Sequence, residues 1–215
     1  MLKSCKNPLL IEAGIDEVAR GCLFGRVYAA VVIWNPHLLD NLDNDIEIEE
    51  NIAEKINLIK DSKKLSKIKR QELREFIEEH AIDYGIAYVE NDEIDKINIL
   101  NASLLAMHKA LDDLTVVPDA LLVVGNCFKE YYRDGHKIDY ECVIKGDNTY
   151  TSIAAASILA KVYHDEYIKE LCKDNEDLVK YDLLNNMGYG TLKHRNAIKK
   201  YGVTCLHRKS FKGCY

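Results

Sequence analysis

The chain has 215 residues, 47% of them hydrophobic and 30% charged, with a formal net charge of −6 at pH 7. That balance suits one large folded domain, or a core with a small appendage, and excludes an intrinsically disordered chain. No apolar run approaches the roughly 18 residues of a membrane span and no signal-peptide pattern is evident, so a cytoplasmic protein without membrane association is expected.

The seven cysteines are scattered and form no C-x-x-C pair, which indicates neither a zinc site nor a disulfide framework. They read as reduced thiols filling core positions. The overall negative charge hides an asymmetry. Residues 36–59 are crowded with acids, whereas residues 191–215 contain no Asp or Glu and carry Lys193, Arg195, Lys199, Lys200, Arg208, Lys209 and Lys212, with His194 and His207. A basic stretch of this kind is either a solvated tail or a surface for phosphates.

In chain order, residues 9–16 and 27–34 read as two strands joined by a turn that holds Arg20 and Gly21, hence an antiparallel hairpin. Within it Asp16 and Glu17 are adjacent carboxylates. Side chains alternate along a regular strand, so both can serve one site only if the strand ends or bulges there; otherwise they belong to a solvated turn. Residues 35–61 form an acid-rich connector with a short helix near 52–59. Ser66 is placed to cap a charged helix over 67–80, and Lys63 and Lys64 before it could meet phosphates. Residues 82–89 alternate as a strand. A helix over 92–111 presents Ile94, Ile97, Leu100, Leu104, Met107 and Leu111 on one face, and its His108 reads as structural.

Strands over 120–124 and 140–144 follow, the second running into Lys145-Gly146-Asp147. A long helix begins near Thr149, with small residues that suit close packing on a sheet. Asp147 is then either its N-cap or a functional carboxylate. The remainder is polar and helical, with Met187-Gly188-Tyr189-Gly190-Thr191 as a loop before the basic segment. Strands and helices in this order predict an α/β fold built on a mixed sheet. No internal repeat or linker is evident.

The ordered set Gly14-Ile15-Asp16-Glu17, Asp61-Ser62-Lys63-Lys64-Leu65, Ile97-Asn98-Ile99-Leu100, Lys145-Gly146-Asp147, the 152–161 run, and Gly188-Tyr189-Gly190-Thr191 with His207-Arg208 resembles ribonuclease HII. The resemblance spans almost the whole chain. It implies a ribonuclease H-like mixed β-sheet flanked by helices over residues 1–172, with a helical, basic C-terminal part over 173–215. It also implies a monomeric endonuclease that cleaves RNA in RNA–DNA hybrids and cuts 5′ to single ribonucleotides in duplex DNA.

In that family four carboxylates gather two divalent cations, Mg²⁺ or Mn²⁺, suited to hard oxygen ligands. Asp16, Glu17 and Asp147 match the first, second and fourth as catalytic and metal-binding residues. The third is missing, because the family's Asp-Gly-Asn is Val124-Gly125-Asn126 here. The resemblance therefore implies weakened or lost activity, or, alternatively, a catalytically silent homologue that binds ribonucleotide-containing duplexes. Asp119, Glu130 and Asp134 are poor replacements. The family's Gly-Arg-Gly, which senses the 2′-hydroxyl, is Ala19-Arg20-Gly21; alanine keeps its amide contacts if no positive φ is required. Tyr189 matches the tyrosine that packs on the sugar after the junction. Lys63, Lys145 and the basic C-terminal segment are expected to hold the duplex backbone.

Overall fold

The computed structural model describes residues 2–38, 46–59 and 65–215. Lys63 and Lys64 lie outside them. Six strands form one sheet in the order β3-β2-β1-β4-β6-β5, comprising β1 (Glu12–Val18), β2 (Val27–Ile33), β3 (Asp83–Val89), β4 (Ala120–Val124), β5 (Tyr131–Arg133) and β6 (His136–Val143). β1, β4 and β6 run parallel, while β2, β3 and β5 are antiparallel to their neighbours. This is the mixed sheet expected.

β2 is Val-Tyr-Ala-Ala-Val-Val-Ile and is buried at every position, because helices cover both faces of the sheet. One face carries α4 (Ile99–Asp112), whose Ala106, Met107 and Ala110 pack with Ala13, Ile15, Val31 and Val123. The other carries α5 (Thr151–Asp174), whose Ala154, Ala155, Ile158 and Leu159 pack with Ala30 and Val32. The approach is close where the small residues predicted it. A Cβ at Gly14 would overlap Ser152 and Ile153 of α5.

Around this sandwich lie α1 (Ile46–Ile59), α2 (Lys67–His80) and α3 (Asn91–Ile97). Ser66 caps α2 by accepting the Lys69 N–H at 3.3 Å. The helix expected over 92–111 is broken into α3 and α4 at Asn98, which has φ of +67° and whose side chain accepts the Asn101 N–H at 3.1 Å. Asparagine tolerates a positive φ better than most residues and caps well, so the apolar stripe changes phase there and Leu100 is left 42% exposed.

The first strand also starts later than expected. Leu9 to Ile11 are exposed, because Asn7 folds a turn under them and accepts the Leu9 N–H at 3.1 Å. β5, only three residues long, is a strand the sequence pattern does not announce, and β6 begins four residues earlier than expected. Asp134 and Gly135, at φ of +51° and +79°, form a two-residue hairpin connection between them.

The C-terminal part holds a 3-10 helix (Glu176–Tyr181), α6 (Leu183–Asn186) and α7 (Leu192–Tyr201). It shares a cluster with the β1–β2 connection, where Leu23, Phe24 and Tyr28 pack with Tyr167, Ile168, Tyr181, Met187 and Ile198. Cys22, Cys172 and Cys214 are buried as expected of core thiols, but Cys127 and Cys205 are exposed on loops. Among the described residues no helix is long and apolar enough to cross a membrane.

Candidate active site

The three parallel strands end together, and their ends supply the carboxylates. β1 pairs with β4 from Glu12↔Ala120 to Ile15↔Val123, and β4 pairs with β6 as far as Val124↔Val143. Asp16 therefore stands at the next register position beside Val124. β6 leads through Lys145, at φ of +55°, into a 3-10 turn (Gly146–Asn148) that buries Asp147.

Asp16 and Glu17 share the site without a bulge. β1 stays in regular register with β2 through Val18↔Tyr28, but on the β4 side its pairing stops at Ile15. With no neighbour along that edge, the two oppositely directed carboxylates both reach the open space above β4. The expectation that the strand had to end or bulge is met on one edge only.

The resulting cleft, about 310 Å³, is lined by Asp16, Glu17, Val18, Arg70, Val124, Asp147, Ser157, Ile158, Lys161 and Tyr189. Asp16 Oδ1 accepts the Glu17 N–H at 2.7 Å, and Asp147 Oδ1 accepts from Asn148 Nδ2 at 3.2 Å. Glu17 Oε1 pairs with Arg20 Nη1 at 3.0 Å, while its Oε2 is buried with no hydrogen-bond partner. On the opposite wall Lys161 Nζ pairs with Asp165 Oδ1 at 2.7 Å. Burial works to raise the Asp165 carboxyl, but hydrogen bonds from His164 and Lys161 outweigh it and hold the group below its usual value.

Tyr189 is 37% exposed, with Lys161 Nζ 5.5 Å from its ring centroid. Burial pushes its phenol up to about 12, so the hydroxyl stays neutral at physiological pH. Three polar cleft residues lie outside the site expected from the sequence: Arg70, Ser157 and Lys161. The last two lie four apart on α5, the spacing that stacks side chains on one helix face, and that was the available signal.

The three carboxylates match a divalent cation in kind, being hard oxygen donors with one buried oxygen unpartnered. They are short in number. Among the described residues no group of three or more His, Cys, Asp or Glu is arranged to hold a metal ion, and Val124 occupies the wall between Asp16 and β6. Among the described residues no replacement reaches the cleft. Asp119 accepts the Ile11 N–H at the far end of β4, Glu130 pairs with Lys137, and Asp134 sits in the hairpin connection.

A family profile described as Ribonuclease HII matches residues 13–214. The chain belongs to the ribonuclease HII family. It is 49% identical over 206 residues to the ribonuclease HII of Christiangramia forsetii, covering 96% of this chain and 92% of that one. Against the ribonuclease HII of Bacteroides fragilis it is 48% identical over 211 residues, covering 98% and 94%. In fold it resembles the crystal structure of ribonuclease H2 from Pyrococcus horikoshii, with a TM-score of 0.69 at 22% identity and 94% of each chain covered. The chain is thus an endoribonuclease of the ribonuclease H class.

Two readings of the substrate side change. Ala19 has φ of +70°, so the alanine does sit where a positive angle is required, in a conformation that costs a non-glycine residue about 1–2 kcal/mol. The basic C-terminal segment is not uniformly a surface either, since His194, His207 and Arg208 are each 0% exposed. Lys145 is exposed beside the Asp147 turn but does not line the cleft.

Proposed function

We propose that this chain hydrolyses the RNA strand of RNA–DNA hybrids and cuts on the 5′ side of single ribonucleotides in duplex DNA. The observation that carries the reading is the cleft itself. Three carboxylates, Asp16, Glu17 and Asp147, meet Tyr189 and Lys161 at the ends of β1, β4 and β6. Asp16, Glu17 and Asp147 are the cleft's hard oxygen donors and would contribute to holding divalent cations, Mg²⁺ or Mn²⁺, although the three do not by themselves form a complete site; such ions, when bound, supply charge compensation and an activated water at the scissile phosphate. A neighbouring fold, Bst-RNase HIII, is known in complex with Mn²⁺, at 19% identity and a TM-score of 0.65.

The protein's own groups do the positioning. Tyr189 offers a neutral, half-exposed ring for the sugar beyond the junction. The Ala19-Arg20-Gly21 backbone, which follows soon after Glu17 in the chain, would meet the 2′-hydroxyl, the group that distinguishes RNA from DNA. Lys145, with the exposed C-terminal lysines, holds the phosphate backbone without reading sequence.

Val124 has no donor atom and no charge. Where the family places a third aspartate, its methyl groups leave the cation site one ligand short, so metal affinity and rate both fall. That same feature favours a second reading, a homologue that binds ribonucleotide-containing duplexes without cutting them. A duplex with one ribonucleotide, incubated with Mg²⁺ or Mn²⁺, separates the two. Cleavage leaving a 3′-hydroxyl on the DNA and a 5′-phosphate on the ribonucleotide supports the first. Tight binding without products supports the second, and neither binding nor products would remove both.

A further inference from the structure

The connection between β1 and β2 closes around one side chain. Arg208 is the largest fully buried side chain among the described residues, and none of its hydrogen bonds goes to a carboxylate. Its Nε donates to the Gly25 carbonyl at 2.9 Å and Nη2 to the Arg26 carbonyl at 2.8 Å. Its Nη1 donates to the carbonyls of Ala19 and Arg20, at 2.8 and 3.2 Å. The backbone on either side is laced to the same loop, with Arg208 N–H donating to Leu23 O at 2.8 Å and Gly25 N–H to Leu206 O at 2.9 Å. A buried guanidinium is costly unless it is fully hydrogen-bonded. Here the loop's own carbonyls meet that requirement, so loop shape and charge burial are coupled.

The peptide unit is planar and trans, so the N–H of each residue points opposite to the preceding carbonyl. Carbonyls of Ala19 and Arg20 drawn inward to Arg208 therefore turn the N–H groups of Arg20 and Gly21 outward. Both residues are exposed, and a Cβ built at Gly21 would meet nothing within 4 Å, so that side of the loop is open. Two consecutive amides then face outward from the segment that leads directly out of Asp16 and Glu17.

We propose that Arg208 is a positioning residue for ribonucleotide selectivity, fixing the Arg20 and Gly21 amides as a donor pair for a 2′-hydroxyl. The proposal rests on the function proposed above. Arg208 also holds Ala19 in its left-handed conformation, since the Ala19 carbonyl is one of its acceptors.

The test compares full-length parent, R208K and R208K/A19G for equilibrium binding to a duplex with one ribonucleotide and to the same duplex in all-DNA form. Lysine keeps the charge but has no planar fork to bridge four carbonyls. R208K is expected to lose about tenfold of the preference for the ribonucleotide, worth about 1.4 kcal/mol, with all-DNA affinity held within about twofold. The A19G change, which lets glycine hold the positive φ unaided, is expected to restore part of that preference. Undiminished preference in R208K, or equal loss on both duplexes, would overturn the proposal. A parent with no preference would overturn the ribonucleotide reading and the proposal with it.

Amide exchange on the unmodified chain decides the matter even if R208K does not fold. Arg20 and Gly21 amides are expected to gain protection with the ribonucleotide duplex and not with the all-DNA duplex. Equal protection in both would refute the donor pair.

Discussion

Asp147 lies in a 3-10 turn three positions ahead of Tyr150, the N-cap of α5, and its side chain is buried in the cleft wall. It does not cap that helix. Replacement by asparagine keeps the size and most hydrogen bonds while removing the charge. D147N is therefore expected to cut whatever cleavage the chain shows by at least about 100-fold while shifting the melting temperature by less than about 4 °C. Parallel activity and melting measurements check this, and unchanged turnover would remove Asp147 from the site. At this scale the sequence was informative where a side chain's chemistry implied its place. Asp16, Glu17 and Tyr189 stand in one cleft, as the matched motifs implied. It was uninformative where packing inverted the usual preference. Arg208, His194 and His207 looked like surface cations in an acid-free stretch, because nothing local says that loop carbonyls or a second histidine will satisfy them. The positive φ of Ala19 was equally hidden, since alanine is not a residue that announces the left-handed region.

At the scale of elements, the loop before α7 is held by a chain of neutral histidines. Thr204 N–H donates to His207 Nδ1 at 2.9 Å, so His207 carries its proton on Nε2 and donates to His194 Nε2 at 3.2 Å. His194 Nδ1–H then donates to the Tyr189 carbonyl at 3.0 Å. A proton added to either ring would set two N–H groups against each other. Burial depresses both histidines from the ordinary 6.5, and the neighbouring His194 adds to the effect that takes His207 to about 4. The unfolded chain thus binds more protons than the folded one. The stabilisation is complete above about pH 6.5 and is lost as pH falls toward 4. Denaturant unfolding at pH 7.5 and 5 is expected to show a loss of about 1–2 kcal/mol that H207N largely removes; equal losses in parent and variant would contradict the chain. The elements themselves were legible where their periodicity was unbroken, as in α2 and β4, whose bounds match the expected ones. They were not where a single backbone angle intervened. Asn98 splits one apolar stripe into two helices, and Asp134-Gly135 creates a short hairpin that a strand-by-strand pattern search passes over.

Over the whole molecule, the site is a product of topology. Carboxylates more than 120 positions apart in sequence share a cleft because β1, β4 and β6 are parallel neighbours whose ends coincide. β1 extends past its neighbour's last paired residue, α5 closes one wall, and the C-terminal part holds the loop that bears Tyr189. The first hairpin and the mixed α/β sheet followed from residue patterns, whereas the order of the strands within that sheet did not. The gap at Val124 was legible from the same comparison, and its place beside Asp16 and Asp147 gives it a physical meaning. The decisive measurement is cleavage of a DNA duplex containing one ribonucleotide, in Mg²⁺ or Mn²⁺, by this chain and its V124D variant. A carboxylate restored at that wall is expected to raise the rate by at least about tenfold, with the cut kept on the 5′ side of the ribonucleotide. Equal rates in the two proteins would show that Val124 does not stand at a ligand position, and would contradict the assignment of this cleft as the metal-dependent active site.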